Sequence, residues 1–323
     1  MRDLAKAAKS HEKGLINVAQ ALVEGKRLLA EQGVEDPRAE ASLLLAFALG
    51  KPREYVYVRP EVSLTAEQSD QYREVLEQRA RRVPYAYIVG NREFMGLDFF
   101  VNETVLIPRP ETETLVEAVL GQGARDNGQW TMDNGQGTMD NGQWTMDNGQ
   151  GTMGRALSLL DLCTGSGAVA LALAVLWPEW SYVVGTDVSV EALDVARCNA
   201  ERLGLSSVVW RRGDLWEAVG DERFDCITAN PPYIATEEYD SCAPEVRCEP
   251  RLALWGGVDG LDFYRRIVAG AAAHLQPGGR LFLEIGWKQA ASVCGLLAGA
   301  GFAAEVIRDL AGRDRVVAAW RGG

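Results

Sequence analysis

Short apolar segments alternate with amphipathic ones from residue 158 to near the end of the sequence. The apolar segments are four to six residues long, typical of buried strands, and the segments between them have the 3.6-residue period of helices. Strands separated by helices predict a doubly wound α/β fold with a seven-stranded sheet. The short gap over Gly312 predicts an antiparallel hairpin at one edge of the sheet. The predicted strands are 158–162, 181–186, 208–211, 225–229, 280–285, 304–307 and 315–320, and the predicted helices are 168–175, 190–203, 261–275 and 289–300.

Residues 1–84 predict a small helical domain. Apolar residues recur at helical spacing over 15–29. Asp36-Pro37 has the form of a helix start, and Gly50 is placed to end that helix. Residues 65–68 (TAEQ) fit a capping box that opens a further helix, and Pro84 is predicted to close it.

Residues 85–110 predict a β-hairpin connector, because apolar residues are interrupted there by Gly96 and Asn102. A second, larger domain is predicted over 111–323, beginning with a helix that ends near Leu120. It contains an insert, 126–153, in which fourteen residues are repeated letter for letter. Asn-Gly recurs in every seven-residue unit of the insert with few apolar residues, which excludes a coiled-coil seam. We predict a mobile loop with no role in the chemistry.

Composition and charge narrow the class of protein. Of the 323 residues, 47% are hydrophobic, yet no apolar run reaches the roughly 20 residues of a membrane span, so a soluble cytoplasmic protein is expected. Residues 1–84 carry 14 basic and 13 acidic residues, against 19 and 32 in the remainder. Such an acidic second domain argues against broad nucleic-acid binding. The six cysteines form no CxxC pair, so no metal site is predicted.

The end of the first predicted strand carries the first candidate site, the glycine loop, defined as residues 161–167 (DLCTGSG). Its glycines allow a tight turn and close approach of a ligand. Asp187, at the end of the second strand, can accept hydrogen bonds from ribose hydroxyls. Asp214 and Leu215, after the third strand, can bind the amino group and the face of an adenine. The predicted cofactor-binding residues are Asp161, Cys163, Thr164, Gly165, Ser166, Gly167, Asp187, Asp214, Leu215 and Asn230.

The sequence of this loop is compatible with two cofactors, a dinucleotide and S-adenosylmethionine. Residues 165–170 (GSGAVA) nominally satisfy the dinucleotide fingerprint GxGxx(G/A), which is weak by itself. Asp161 favours S-adenosylmethionine, because a carboxylate suits a cationic amino-acid tail and opposes a pyrophosphate. A plain strand-to-helix turn with no ligand is the remaining alternative.

The second candidate site, the reactive loop, comprises Asn230, Pro231, Pro232 and Tyr233 directly after the fourth strand. The prolines stiffen the loop and lack N–H groups. The Asn230 side-chain oxygen and the Pro231 carbonyl can accept the two N–H bonds of an amide or an aromatic amine and stabilise charge that builds on its nitrogen. Tyr233 can pack on the flat face of that group. We predict catalytic roles for Asn230, Pro231 and Tyr233, and substrate binding by all four residues.

With these loops the chain resembles the release-factor glutamine methyltransferases, the HemK/PrmC family. The resemblance rests on several segments of this sequence, which are Arg92-Glu93-Phe94, 106–113, 161–167, 230–234, Glu245-Val246-Arg247 with Glu249-Pro250, Gly260-Leu261-Asp262, Pro277-Gly278-Gly279, 284–287 and 312–315. It implies a seven-stranded S-adenosylmethionine-dependent methyltransferase domain preceded by a helical substrate-recognition domain.

The resemblance also implies an activity, namely methyl transfer to the side-chain amide nitrogen (N5) of the glutamine in the Gly-Gly-Gln motif of class 1 peptide chain release factors. The protein is then expected to be a monomer that binds neither nucleic acid nor membrane. Two departures stand out: Cys163 replaces a glycine of many relatives, which is tolerable at negative φ, and Leu215 replaces an aromatic residue of some.

Two other functions are compatible with the same loops. A nucleic-acid adenine-N6 methyltransferase would need a basic groove-reading segment, and 236–258 is short and acidic. A module that only binds the cofactor would not need residues 230–233.

Overall fold

The computed structural model describes residues 16–122, 138–140, 143–145 and 156–321. The described residues form two compact units. The first runs to Gly90 and also takes in Pro244–Cys248, and the second comprises the rest from Asn91 onward. The helical pattern predicted from residue 15 begins outside the described residues, as does most of the insert at 126–153.

The first unit is helical, and its helix ends follow from local capping. Asp36 accepts a hydrogen bond from the backbone N–H of Ala39 at 3.2 Å, and Gly50 ends the same helix at a φ of 60°. Thr65 and Gln68 form the predicted reciprocal capping box. The helices are α1 (Val18–Glu31), α2 (Pro37–Leu49), α3 (Arg53–Val58), α4 (Ala66–Ala80) and α5 (Tyr85–Val89).

Pro84 does not close α4, contrary to the sequence prediction. The helix ends at Ala80, and Pro84 instead precedes the first residue of α5. Proline is well tolerated at a helix start, because its missing N–H would have no partner there. The residues after Pro84 are therefore helical as far as Val89, and the connector begins later than predicted.

The segment Pro244–Cys248 belongs to the first unit through charged contacts. Glu245 pairs with Arg79 at 2.9 Å and with Arg82 at 2.7 Å. Arg79 is buried and also pairs with Glu40. Because removing one partner of a buried pair leaves an uncompensated charge, these contacts fix the segment more firmly than surface ion pairs would.

The predicted hairpin is present in the connector, with strands β1 (Asn91–Phe94) and β2 (Leu97–Phe100) paired in antiparallel register. Helix α6 (Pro110–Gln122) follows. Within the insert, β3 (Thr138–Asp140) and β4 (Gln143–Thr145) form a two-stranded antiparallel pair.

The second unit contains the predicted seven-stranded sheet, with strands in the order β10-β11-β9-β8-β5-β6-β7. Strands β9, β8, β5, β6 and β7 run parallel to one another. Strand β11 runs antiparallel to both β9 and β10, which confirms the predicted edge hairpin. The elements are β5 (Leu157–Leu162), α7 (Ala168–Leu176), β6 (Trp180–Asp187), α8 (Val190–Arg202), β7 (Val209–Arg212), β8 (Phe224–Ala229), α9 (Thr236–Tyr239), α10 (Asp262–His274), β9 (Leu275–Glu284), α11 (Ala290–Gly299), β10 (Ala303–Arg308) and β11 (Asp314–Trp320).

Alternate residues of the central strands feed two apolar layers. Leu159 and Cys226 belong to the layer that includes α7, whereas Leu160 and Ile227 belong to the layer that includes α10 and α11. All four are fully buried. Each fully buried aliphatic side chain contributes about 1.5–3 kcal/mol, so β5 and β8 form a rigid centre from which the loops at their carboxyl ends project. No helix in the described ranges is both long and apolar enough to cross a bilayer.

Candidate active site

The two loops predicted to carry chemistry lie at the carboxyl ends of neighbouring parallel strands. The glycine loop follows β5 and the reactive loop follows β8, and both line one cleft with about 1060 Å³ of empty space, part of it open to solvent. The cleft is completed by the ends of β6 and β7, by residues 104–106 and Pro108, and by Pro250, Leu252 and Ala253. This is the edge at which sheets of this kind bind ligands.

Every second residue from 163 to 167 in the glycine loop has a left-handed backbone conformation. The φ angles are 57° at Cys163, 54° at Gly165 and 79° at Gly167. A Cβ on Gly167 would also approach the Trp210 ring to 2.8 Å. The negative φ that would make a cysteine tolerable at position 163 is therefore not present. A non-glycine residue in this region costs about 1–2 kcal/mol, so Cys163 stores strain where a glycine would not.

Asp187 supports the glycine loop from the end of β6. Its carboxylate oxygens accept hydrogen bonds from the backbone N–H of Gly165 at 2.9 Å and of Ser189 at 3.0 Å. The N–H of Gly167 is committed to the Thr164 carbonyl at 2.8 Å. Two of the N–H groups that a pyrophosphate would use are therefore occupied, which disfavours the dinucleotide alternative. A carboxylate has about four acceptor sites, so Asp187 retains acceptor capacity for a ligand hydroxyl.

Asp161 is buried beneath the loop and borders the cleft. It accepts hydrogen bonds from the hydroxyls of Thr164 at 2.5 Å and Thr228 at 2.8 Å. Burial raises the pKa of Asp161 to about 6, although both hydroxyls oppose the shift. The carboxylate is thus ionised but poorly solvated at neutral pH, an environment that favours a cationic ligand group.

The third strand end holds the residues predicted to contact adenine. Asp214 pairs with Arg266 at 2.8 Å, with both side chains about half exposed. Leu215 adopts a φ of 54° and is buried. Phe263 of α10, which the sequence did not single out, lines the same cleft, so an aromatic surface is available although Leu215 is aliphatic.

Asn230 directly follows β8, and the two polar atoms of its side-chain amide have different surroundings. Its Nδ2 donates to the Thr112 hydroxyl at 3.3 Å. Its Oδ1 is buried, and no atom in the described part of the chain donates a hydrogen bond to it. A buried acceptor without a donor is costly, and because Asn230 lines the cleft, a ligand N–H group that reached this oxygen would relieve that cost.

Gln289 holds the reactive loop from the side of α11. Its Nε2 donates to the carbonyls of Tyr233 at 3.0 Å and Gly260 at 3.1 Å, and its Oε1 accepts from the N–H of Gly286 at 2.9 Å. Burial raises the pKa of the Tyr233 phenol, so this side chain is neutral at ordinary pH.

Two family models match, one described as the PrmC N-terminal domain over residues 20–90 and one as the methyltransferase small domain over residues 145–245. A release factor glutamine methyltransferase of Geobacter sulfurreducens is 42% identical, with the alignment covering 90% of this chain and 91% of that protein. The chain belongs to the release factor glutamine methyltransferase family. A Moorella thermoacetica relative of the same name is 40% identical over 95% of this chain and 99% of its own.

Family membership makes the chain a methyltransferase and an enzyme. A solved structure, titled a release factor-specific protein-(glutamine-N5) methyltransferase from Alicyclobacillus acidocaldarius, is 28% identical, with a TM-score of 0.37, and the match covers 67% of this chain and 95% of that one.

For this family member the sequence pattern left three residues of the site without a role, namely Thr112, Glu284 and Gln289. Thr112 contacts Asn230 across 118 residues of sequence. Glu284 ends β9, beside the strand that carries Asn230, and is completely buried. Thr112 and Glu284 lie in segments 106–113 and 284–287, which carry the family resemblance, but neither segment indicated a role for them.

Proposed function

We propose that this chain transfers a methyl group from S-adenosylmethionine to N5 of the glutamine in the Gly-Gly-Gln motif of class 1 peptide chain release factors. The observation that carries the proposal is the buried Oδ1 of Asn230, which lacks a donor among the described residues and belongs to a residue that lines the acidic cleft. The relatives' names, which specify glutamine in release factors, agree with it.

The cleft residues fit S-adenosylmethionine part by part. Asp161 suits the cationic amino-acid end, and Asp187 retains acceptor capacity for the ribose hydroxyls. Leu215 and Phe263 offer an apolar wall for the adenine ring. When bound, the cofactor supplies an electrophilic methyl group on a sulfonium, whose carbon–sulfur bond breaks with its electron pair remaining on sulfur.

The task of the reactive loop follows from the chemistry of an amide. The glutamine nitrogen is a poor nucleophile because its lone pair is delocalised into the carbonyl group. Asn230 Oδ1 and the Pro231 carbonyl, accepting its two N–H bonds, orient that lone pair and stabilise positive charge that builds on nitrogen. The methylated nitrogen then releases one proton to water, so no side-chain nucleophile is needed.

The stiffness of this loop is part of the proposed mechanism. Pro231 and Pro232 are buried, and Gln289 fixes the Tyr233 carbonyl on one side. On the other side the N–H of Ile234 donates to the Leu254 carbonyl at 2.9 Å. Acceptors that are already in place need no reorganisation when charge develops, which is where such groups gain their effect.

The experiment is methylation of a purified release factor by the purified chain with labelled S-adenosylmethionine, followed by mass spectrometry of the Gly-Gly-Gln peptide. The matched control is the same release factor with that glutamine changed to alanine. Label on the glutamine peptide and none on the control supports the proposal. Equal label on both would refute the glutamine assignment, and label only on an added adenine-containing oligonucleotide would favour the nucleic-acid alternative.

A further inference from the structure

The amide of Asn230 can be placed in two orientations of nearly the same shape, and only one of them serves the proposed function. With Oδ1 toward the cleft the side chain accepts a substrate N–H. With the amide turned by 180°, Nδ2 would face that N–H, donor against donor. Some neighbour must therefore select the productive orientation.

Thr112 is the neighbour in contact with the other end of the amide. It lies in the first turn of α6, is buried, and receives the Nδ2 hydrogen bond of Asn230 at 3.3 Å. A threonine hydroxyl has one proton and two lone pairs, so it can face Asn230 either as a donor or as an acceptor. Which of the two it does depends on the neighbour to which the hydroxyl donates its hydrogen bond.

Glu284 accepts a hydrogen bond from the Thr112 hydroxyl. Its side chain forms a hydrogen bond with Thr112 and is completely buried at the end of β9, the strand next to Asn230. An ionised carboxylate can only accept, so the hydroxyl must donate to it and turn its lone pairs to Asn230. Turning the amide would then bring Oδ1 against those lone pairs, two acceptors with no proton between them.

We infer that Thr112 is a positioning residue, whose hydroxyl, committed as a donor to Glu284, holds the Asn230 amide with Oδ1 toward the substrate. This inference rests on the proposed function, since it concerns the acceptor that activates the substrate amide. It adds two residues that the sequence pattern did not assign to the reaction.

The arrangement has a pH dependence. Burial raises the pKa of Glu284 to about 7, and the Thr112 hydrogen bond and Arg315 oppose the shift. A protonated Glu284 can donate to Thr112, which frees the hydroxyl proton to point at Asn230 and favours the turned amide. Turnover should therefore fall as the pH drops through about 7. The charged and titratable groups that face Glu284 are Arg315 of β11, Arg109 before α6, Glu111 of α6, Tyr233 of the reactive loop and Tyr264 of α10.

The first test compares Thr112→Val, which keeps the shape and removes the hydroxyl, with Thr112→Ser, which keeps the hydroxyl. At pH 8 and saturating S-adenosylmethionine, the valine variant should lose roughly 10- to 100-fold in kcat, the effect of leaving buried polar groups unpaired. Serine should restore most of the rate. Thr114→Val, the same exchange at another buried threonine of α6, is the matched control and should stay within about threefold of the wild type.

A role in packing alone predicts other results. Wild-type kcat in Thr112→Val, or equal losses with serine and valine, would overturn the inference. The pH profile of kcat should also flatten between pH 6 and 8 in Thr112→Val, whereas a packing defect would lower the profile without changing its shape. Thr112→Val combined with Glu284→Gln should be no slower than the slower single variant, because both act through one hydroxyl.

A substrate-independent measurement separates this inference from the proposed function. The side-chain amide resonances of Asn230, identified by their loss in Asn230→Asp, should be sharp and distinct in the wild type and in Thr112→Ser. They should broaden or shift in Thr112→Val. If the release factor is not methylated but these resonances behave as stated, the proposed function fails and the positioning inference stands. Unchanged resonances in Thr112→Val would refute the inference whatever the substrate.

Discussion

Replacing Asp161 with asparagine should weaken cofactor binding and, at neutral pH, stabilise the free protein. The carboxylate is 2% exposed, and its pKa is raised by burial from 3.8 to about 6. A difference of about two pKa units corresponds to about 3 kcal/mol of unfavourable interaction of the charged form in the folded state. Asparagine keeps the shape and removes the charge.

The sign of the pH dependence follows from the raised pKa. The stability that Asp161 contributes is fully present below its unfolded pKa of 3.8 and is lost as the pH rises through about 6. The wild type should therefore lose stability relative to Asp161→Asn between pH 4 and pH 7, by up to about 3 kcal/mol. Subtracting the variant's free energy of unfolding from that of the wild type at each pH removes the contributions of all other titrating groups, including Glu284.

The cofactor affinity of the wild type should rise with pH, whereas the stability contributed by Asp161 falls with pH. With a pKa of about 6, Asp161 is about 90% ionised at pH 7 and about 10% ionised at pH 5. If only the carboxylate form attracts the cationic end of S-adenosylmethionine, the wild-type Kd should rise roughly tenfold between pH 7 and pH 5. Asp161→Asn should bind weakly at both values, with a smaller change between them.

Calorimetric titration with S-adenosylmethionine and chemical denaturation, each at pH 5 and pH 7, measure both effects in the same two proteins. Wild-type affinity in Asp161→Asn would refute the assignment of this carboxylate to the cofactor. A variant less stable than the wild type at pH 7 would refute the argument that burial, rather than pairing, sets its pKa.

Four further variants test the rest of the site and the insert. Asp187→Asn should weaken cofactor binding at least tenfold by calorimetry, because it replaces one carboxylate oxygen, an acceptor for the ribose hydroxyls and for backbone N–H groups, with an NH₂ group that can only donate; an unchanged Kd would exclude Asp187. Cys163→Gly should preserve or raise stability by about 1 kcal/mol, while Cys163→Val should lower it, since only glycine relieves the positive φ; equal effects in denaturation would contradict this strain. Deleting residues 126–153 should change melting temperature and turnover little, because closure entropy depends weakly on loop length, and a large loss of either would give the insert a role.

The alternation of strands and helices could be predicted because each element carries its own signal. Predicted and observed bounds of most second-unit elements agree within one or two residues, since apolar strands end at polar residues and helices begin at caps. The main exception is β9, which begins at Leu275 rather than at 280. Pro277-Gly278-Gly279 has the composition of a turn, but it lies within the strand, where the pairing with β8 is irregular.

The site was predictable where its residues are adjacent in sequence and hidden where the fold brings distant residues together. The glycine loop and residues 230–233 could be found as motifs. The contact of Thr112 with Asn230 joins residues 118 apart, and that of Gln289 with Tyr233 joins residues 56 apart, so neither leaves a periodicity in the sequence. Backbone conformation was also hidden, since nothing in the letters predicts that Cys163 and Leu215 both adopt positive φ.

The most direct test of the account is single-turnover methylation of a release factor by Asn230→Ala at saturating cofactor. We expect a loss of roughly 100- to 1000-fold in rate, typical of removing one acceptor that acts in the transition state, with a much smaller change in cofactor Kd. Asn230→Asp should recover part of the rate, because a carboxylate still accepts the substrate N–H. Methylation by Asn230→Ala at the wild-type rate would remove this side chain from the mechanism and contradict the account.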